Sequence, residues 1–137
     1  MKKVVLPAET DRLYQALDFV TETAREYGGV KEPEKLELIV EEVFVNIASY
    51  AYKELQGDVR IECGAEKDLL IVRFRDCGEP YDPLQRPAPD ITCPVAERPI
   101  GGLGIYLVKE IADRINYAHV DGENILTIGM NLQGGAE

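Results

Sequence analysis

Three groups of residues have types and spacings that chemistry could use. In EEVFVNIASYAY, Glu42 and Asn46 are i, i+4 neighbours, one helical turn apart on one edge of an apolar stripe, close to Ile39. A carboxylate and a carboxamide so placed can share a hard cation or a water. The Asn oxygen suits Mg2+ and the Glu can take a proton. The plainer reading makes both boundary residues of a partly exposed helix. In FRDCGEP, Asp76 keeps the parity of Leu70, Val72 and Phe74, so it points to the covered face of its strand. A carboxylate without a donor is costly there. An adenine amino group would serve as donor, and Gly78 would let a flat ring approach the backbone. The alternative is a strand that ends in an Asx-type turn. In PIGGLGIYLVKEI, Gly101, Gly102 and Gly104 run into a helical pattern. A helix N-terminus offers free N–H groups and a positive dipole end to phosphate. The run is neither G-x-x-x-x-G-K-[ST] nor G-x-G-x-x-G, because Leu107 stands where the last glycine should be.

The elements that must position these groups are legible in the periodicity. Val4-Val5-Leu6 before Pro7 predicts a short strand. Leu13, Leu17, Val20, Ala24 and Tyr27 form a helical stripe over residues 10–27, ended by Gly28-Gly29. Pro33 opens a second helix whose Leu36, Ile39, Val40, Val43, Phe44, Ile47, Ala48 and Ala51 fall on one face. Two strands follow, one alternating Val59, Ile61 and Cys63, the other Leu70, Val72 and Phe74. Six prolines between residues 77 and 100 exclude regular structure there, and a loop that long is usually a lid or binding segment, here roughly 79–100. The third helix buries Leu107, Val108, Ile111, Ala112 and Ile115. A closing hairpin turns at Asp121-Gly122-Glu123-Asn124 into a strand with Leu126, Ile128, Met130 and Leu132 on one face. This order predicts an α/β two-layer sandwich, a mixed and mostly antiparallel sheet covered on one face by three helices.

Composition bounds the rest. The 137 residues suit a single domain, 1–137, and 45% hydrophobic with 29% charged content is ordinary for a soluble globular chain. No apolar run approaches the roughly 20 residues that span a bilayer. The apolar segment after Met1-Lys2-Lys3 stops at three residues, so a cytoplasmic protein without a signal peptide is expected. A net charge of −10 argues against direct nucleic-acid or anionic-membrane binding and suits a basic protein partner. Cys63, Cys77 and Cys93, with His119 the one histidine, lack zinc-site spacing and read as free thiols.

Taken together and in order, a Glu-x-x-x-Asn helix, an Asp-x-Gly strand end, a lid and a Gly-x-Gly helix start resemble the GHKL superfamily of ATPases over residues 33–132. The segments EEVFVNIASYAY, RDCGEPYDPL and ERPIGGLGIYLVKEIADRINY followed by NILTI look closer still to the anti-sigma factor serine/threonine kinase branch, with its histidine kinase-like ATPase fold. The resemblance implies that Asn46 binds the Mg2+ bridging the phosphates of ATP and that Glu42 is the general base. Asp76 would bond the adenine amino group, with Gly78 beside it. Gly101, Gly102 and Gly104, with Leu103 and Ile105 in the same segment, would line the phosphates. The chain departs from the family pattern in three places: Pro80 replaces a second glycine after Asp-x-Gly, Tyr50 stands where many members have His, and the last strand lacks a Gly-Thr pair, with only Thr127 nearby.

The function so implied is phosphorylation of a serine or threonine on an STAS-type antagonist, with a sigma factor as the alternate partner. A homodimer would form near the first helix and strand. The alternative is an ATP- or ADP-binding module that controls its partners without catalysis. Arg98 reads as a solvated loop residue, with a phosphate or a partner protein as its other possible contact.

Overall fold

A computed structural model describes residues 1–52, 57–78 and 102–134, with the side chains of residue 50 and of residues 102–105 left undescribed. The order is β1 (Lys2–Pro7), a 3-10 turn (Thr10–Arg12), α1 (Leu13–Glu26), α2 (Pro33–Tyr50), β2 (Asp58–Glu66), β3 (Leu69–Asp76), α3 (Gly102–Ile111), β4 (Arg114–Val120) and β5 (Glu123–Asn131). The expected lid with Pro80 and Arg98, together with Cys93 and Gly101, lies outside the described residues.

The five strands form one sheet in the order β1-β2-β3-β5-β4, and every pairing is antiparallel rather than mixed. The connections explain this. Two helices between β1 and β2 bring the chain back reversed. The connection through α3 leaves β3 and β4 parallel to each other, but β5 inserts between them and forms two antiparallel pairs.

The predicted helices hold, with their ends adjusted. α1 closes in a Schellman motif: Gly29 N–H bonds Ala24 O at 2.8 Å and Gly28 N–H bonds Arg25 O at 3.0 Å, with φ of +84° and +93° that glycine adopts without strain. Tyr27 therefore falls outside the helix, and it is exposed rather than part of the buried stripe, which runs through Ala16, Val20, Thr23 and Ala24. On α2, Leu36, Ile39, Val40, Val43, Phe44 and Ile47 are buried against Ile61, Val72 and Phe74 in one core, and α2 also meets α1 and α3. The helical spacing of Ile111 and Ile115 is coincidental: α3 ends at Ile111, and Ile115 sits in β4 opposite Ile128. On α3 itself Val108 is buried and Leu107 exposed.

The last hairpin differs from expectation in a way that bears on function. Its turn is only Asp121-Gly122, both at positive φ (53° and 81°), so Glu123 and Asn124 belong to β5. Asn124 thereby joins the covered face with Leu126 and Ile128. Among the described residues, no helix is long and apolar enough to cross a membrane.

Candidate functional site

The site is built where the end of β3 meets the C-terminal turn of α2. Three contacts hold that junction. The Tyr52 hydroxyl donates to Asp58 O at 2.5 Å and accepts from Cys77 N–H at 2.8 Å, tying the residues after α2 to the start of β2 and the end of β3. At Gly78, a Cβ would stand 2.1 Å from Ala51 O and 2.8 Å from Ala51 Cβ, so no other residue fits without backbone movement. The crowding that requires glycine at 78 therefore comes from the end of α2, a neighbour that sequence spacing did not reveal. Tyr52 was likewise missed, because its partners are two backbone groups brought together only by the fold.

Asp76 is buried at 7% exposure on the helix-covered face, as its parity predicts. Its Oδ1 accepts from Gly78 N–H at 3.0 Å, the Asx-type turn given above as the alternative, and from Asn124 Nδ2 at 3.0 Å. Asn124 faces Asp76 directly across the β3–β5 ladder, and its Oδ1 accepts from the Tyr117 hydroxyl. A line of Tyr117, Asn124 and Asp76 thus holds the carboxylate by one oxygen. Among the described residues Oδ2 takes no hydrogen bond, which leaves an acceptor for a ligand. Thr127 has no part in this: it stands opposite Arg73 on the uncovered face. Asn124 was hidden in the sequence by the longer turn assigned to 121–124. A two-residue Asp-Gly turn would have placed it in phase with Leu126 and Ile128.

On α2, Asn46 is 8% exposed, and its Oδ1 is fully buried without a hydrogen-bond partner among the described residues. An orphaned buried carbonyl oxygen normally costs about 1–3 kcal/mol, so its retention fits an absent ligand such as a hard cation. One turn earlier, Glu42 is half-buried, and burial, then the neighbouring Glu41 charge, raises its carboxyl above the ordinary range. That makes it a better proton acceptor once ionised.

The expected glycine segment divides. Gly102, Leu103, Gly104 and Ile105 form the first turn of α3, whereas Gly101 is outside the described residues. Because α3 meets α2, the start of α3 and Asn46 belong to neighbouring helices of one layer. The structure thus brings Asp76 and Gly78 against the end of the helix that carries Glu42 and Asn46.

Against known proteins, the sequence profile described as "Histidine kinase-like ATPase domain" matches residues 6–130. "Serine-protein kinase RsbW" of Bacillus cereus is 34% identical over 97 residues, which are 68% of this chain and 61% of that protein. The protein of the same name from Bacillus thuringiensis (strain Al Hakam) is 33% identical over the same coverage. The match thus spans about three fifths of the length of these relatives. Among solved structures, "Acinetobacter baumannii histidine kinase AdeS" superposes with a TM-score of 0.53 at 13% identity, over 98% of this chain and 70% of that one, a likeness of fold.

Proposed function

Because the chain belongs to the histidine kinase-like ATPase family, we propose that it binds ATP with Mg2+ and transfers the γ-phosphoryl group to a serine or threonine of an STAS-type partner. A sigma factor would be the alternate partner in a switching pair. The observation that carries this reading is the buried Asn46 Oδ1, without a partner among the described residues, one helical turn from the raised carboxyl of Glu42. The Bacillus relatives, named as serine-protein kinases, support it.

Each residue then has a task. Asn46 would hold the divalent ion, which when bound neutralises phosphate charge. Asp76 would accept from the adenine amino group through Oδ2, while Asn124 and Gly78 fix the other oxygen. Gly101, Gly102 and Gly104, with Leu103 and Ile105, would present backbone N–H groups at the start of α3 to the phosphates. Glu42 would take the hydroxyl proton as that oxygen bonds to the γ-phosphorus and the bond to ADP breaks. We further read residues 1–137 as one cytoplasmic domain. It would pair as a homodimer near β1 and α1, where Val5 and Tyr14 are exposed at 59% and 78%. Net charge −10 suits a basic partner segment and disfavours nucleic acid.

Calorimetric titration with ATP tests the site. The parent is expected to bind with a Mg2+-dependent affinity. Asn46→Ala should lose the Mg2+ dependence, and Asp76→Asn should weaken ATP about tenfold or more, as expected for losing a charge-assisted hydrogen bond. Equal binding by parent and both variants, or none by the parent, would overturn the assignment.

A further inference from the structure

The uncovered face of the sheet divides its arginines into two kinds. Arg60 and Arg75 are neutralised: Arg60 Nη2 lies 2.7 Å from Glu123 Oε1, and Arg75 pairs with Glu62 at 2.8 Å and Glu123 at 3.1 Å. Arg73 and Arg114 stand on the same face with no ion pair among the described residues, and Arg73 Nη1 has only the Met1 thioether at 3.4 Å. In a chain of net charge −10, acids are abundant, yet two of the four arginines on this face pair with none among the described residues.

Both arginines line one cavity of about 420 Å3 over β3, β5 and β4, a volume within the range of small-molecule sites. The register puts Arg73 opposite Thr127, which is opposite Asn116, while one row along Ile71 is opposite Gly129, which is opposite Arg114. Arg73 on β3 and Arg114 on β4 thus stand on the strands either side of β5, next to an apolar floor of Ile71 and Gly129. Gly129 keeps that floor open: a Cβ there would stand 3.2 Å from Arg114 Cβ and 3.6 Å from Ile71 Cδ1. Thr127 and Asn116 add neutral hydrogen-bonding groups at the same level. Glu66 and Asp68 also line the cavity, beside Lys67, so three of its five charged side chains are basic.

We propose that this groove is a second ligand site, separate from the α2–β3 junction, that takes a phosphate or carboxylate group carried on a small apolar body. Arginine forks bind either anion in a bidentate manner, and the floor accepts the apolar part. The site does not depend on the nucleotide reading, since it shares no residue with it.

The test is residue-resolved NMR of the full chain, reading backbone amides and arginine Nε–H groups during titration with phenyl phosphate and with benzoate, and with phenol as the neutral control. Saturable shifts at Gly129, Asn116 and Arg73, absent with phenol, are expected. Arg73→Gln and Arg114→Gln should each weaken them about tenfold, whereas Arg60→Gln should leave them unchanged. A response to one anion alone identifies which head group the site prefers. The proposal fails if neither anion binds, if the shifts appear only at Gly78, Gly102 and Gly104, or if the glutamine variants bind as the parent does. It fails too if the same amides shift with protein concentration without any anion and Arg114→Glu abolishes that shift, because the groove would then be a contact between copies of this chain.

Discussion

In the proposed kinase, Glu42 is the residue on which catalysis, as distinct from binding, would turn. Its carboxyl is raised by burial and by Glu41, so the folded chain holds this proton more tightly than the unfolded chain does. Stability from this group is therefore fully present below the ordinary glutamate value of 4.5 and is lost as pH rises through the raised native value. Glu42→Gln removes that loss. The variant should melt at or slightly above the parent at pH 7, yet lose roughly 10²–10⁴-fold in phosphoryl transfer to a cognate partner, the range for a general base. Paired melting curves and a phosphorylation assay check both arms, and unchanged transfer would exclude Glu42 as the base. A second contrast separates two thiols. Cys63 is buried, and burial followed by the Glu26 charge pushes its thiol up to about 12, so it should resist alkylation by iodoacetamide in the native state. Cys77 is exposed and should be labelled. Peptide mapping before and after denaturation reads the difference.

At the scale of elements, the α2–β3 junction decides whether Asp76 and Asn46 serve one ligand. The Tyr52 hydroxyl bridges Asp58 O and Cys77 N–H, and Gly78 sits against Ala51 O. Tyr52→Phe keeps the ring and removes both hydrogen bonds. It should cost about 1–2 kcal/mol in urea unfolding and weaken ATP several-fold by loosening the strand end next to Asp76. Gly78→Ala must displace backbone and should cost more, about 1–3 kcal/mol or above. Unfolding curves as close to the parent as a surface substitution gives would refute this latch. The periodicity of α2 announced its buried face correctly, because a face follows from spacing alone. The latch was invisible, because it pairs a tyrosine with carbonyl and amide groups from other segments.

Across the whole molecule, charge is organised on the uncovered sheet face. Lys3, Glu62, Arg75, Glu123 and Arg60 form a chain of ion pairs spanning β1, β2, β3 and the start of β5. Burial alone would raise Glu62, but the hydrogen bond from Arg75 and the charges of Arg75, Lys3 and Arg60 outweigh it and hold the carboxyl below its ordinary value. A depressed carboxyl contributes stability that is present above 4.5 and lost as pH falls through the native value. Glu62→Gln should therefore destabilise the fold by about 1–2 kcal/mol at pH 7, with the gap to the parent closing in acid. A gap that persists at pH values where the parent's Glu62 is protonated would show that packing, not charge, is the cause.

Much of this protein was determined by its sequence alone. Element order, the buried face of α2, the inward Asp76 and the i, i+4 pair Glu42 and Asn46 all follow from periods of 3.6 and 2, which are local properties of the chain. The tertiary structure alone decided what lies across from what. It put β5 between β3 and β4, making the sheet antiparallel throughout. It set Asn124 rather than Thr127 opposite Asp76, left Asn46 Oδ1 buried without a partner among the described residues, and gathered Arg73 and Arg114 around Gly129. Those relations depend on register and on helix–strand contact between segments far apart in the chain, and local periodicity carries no information about either.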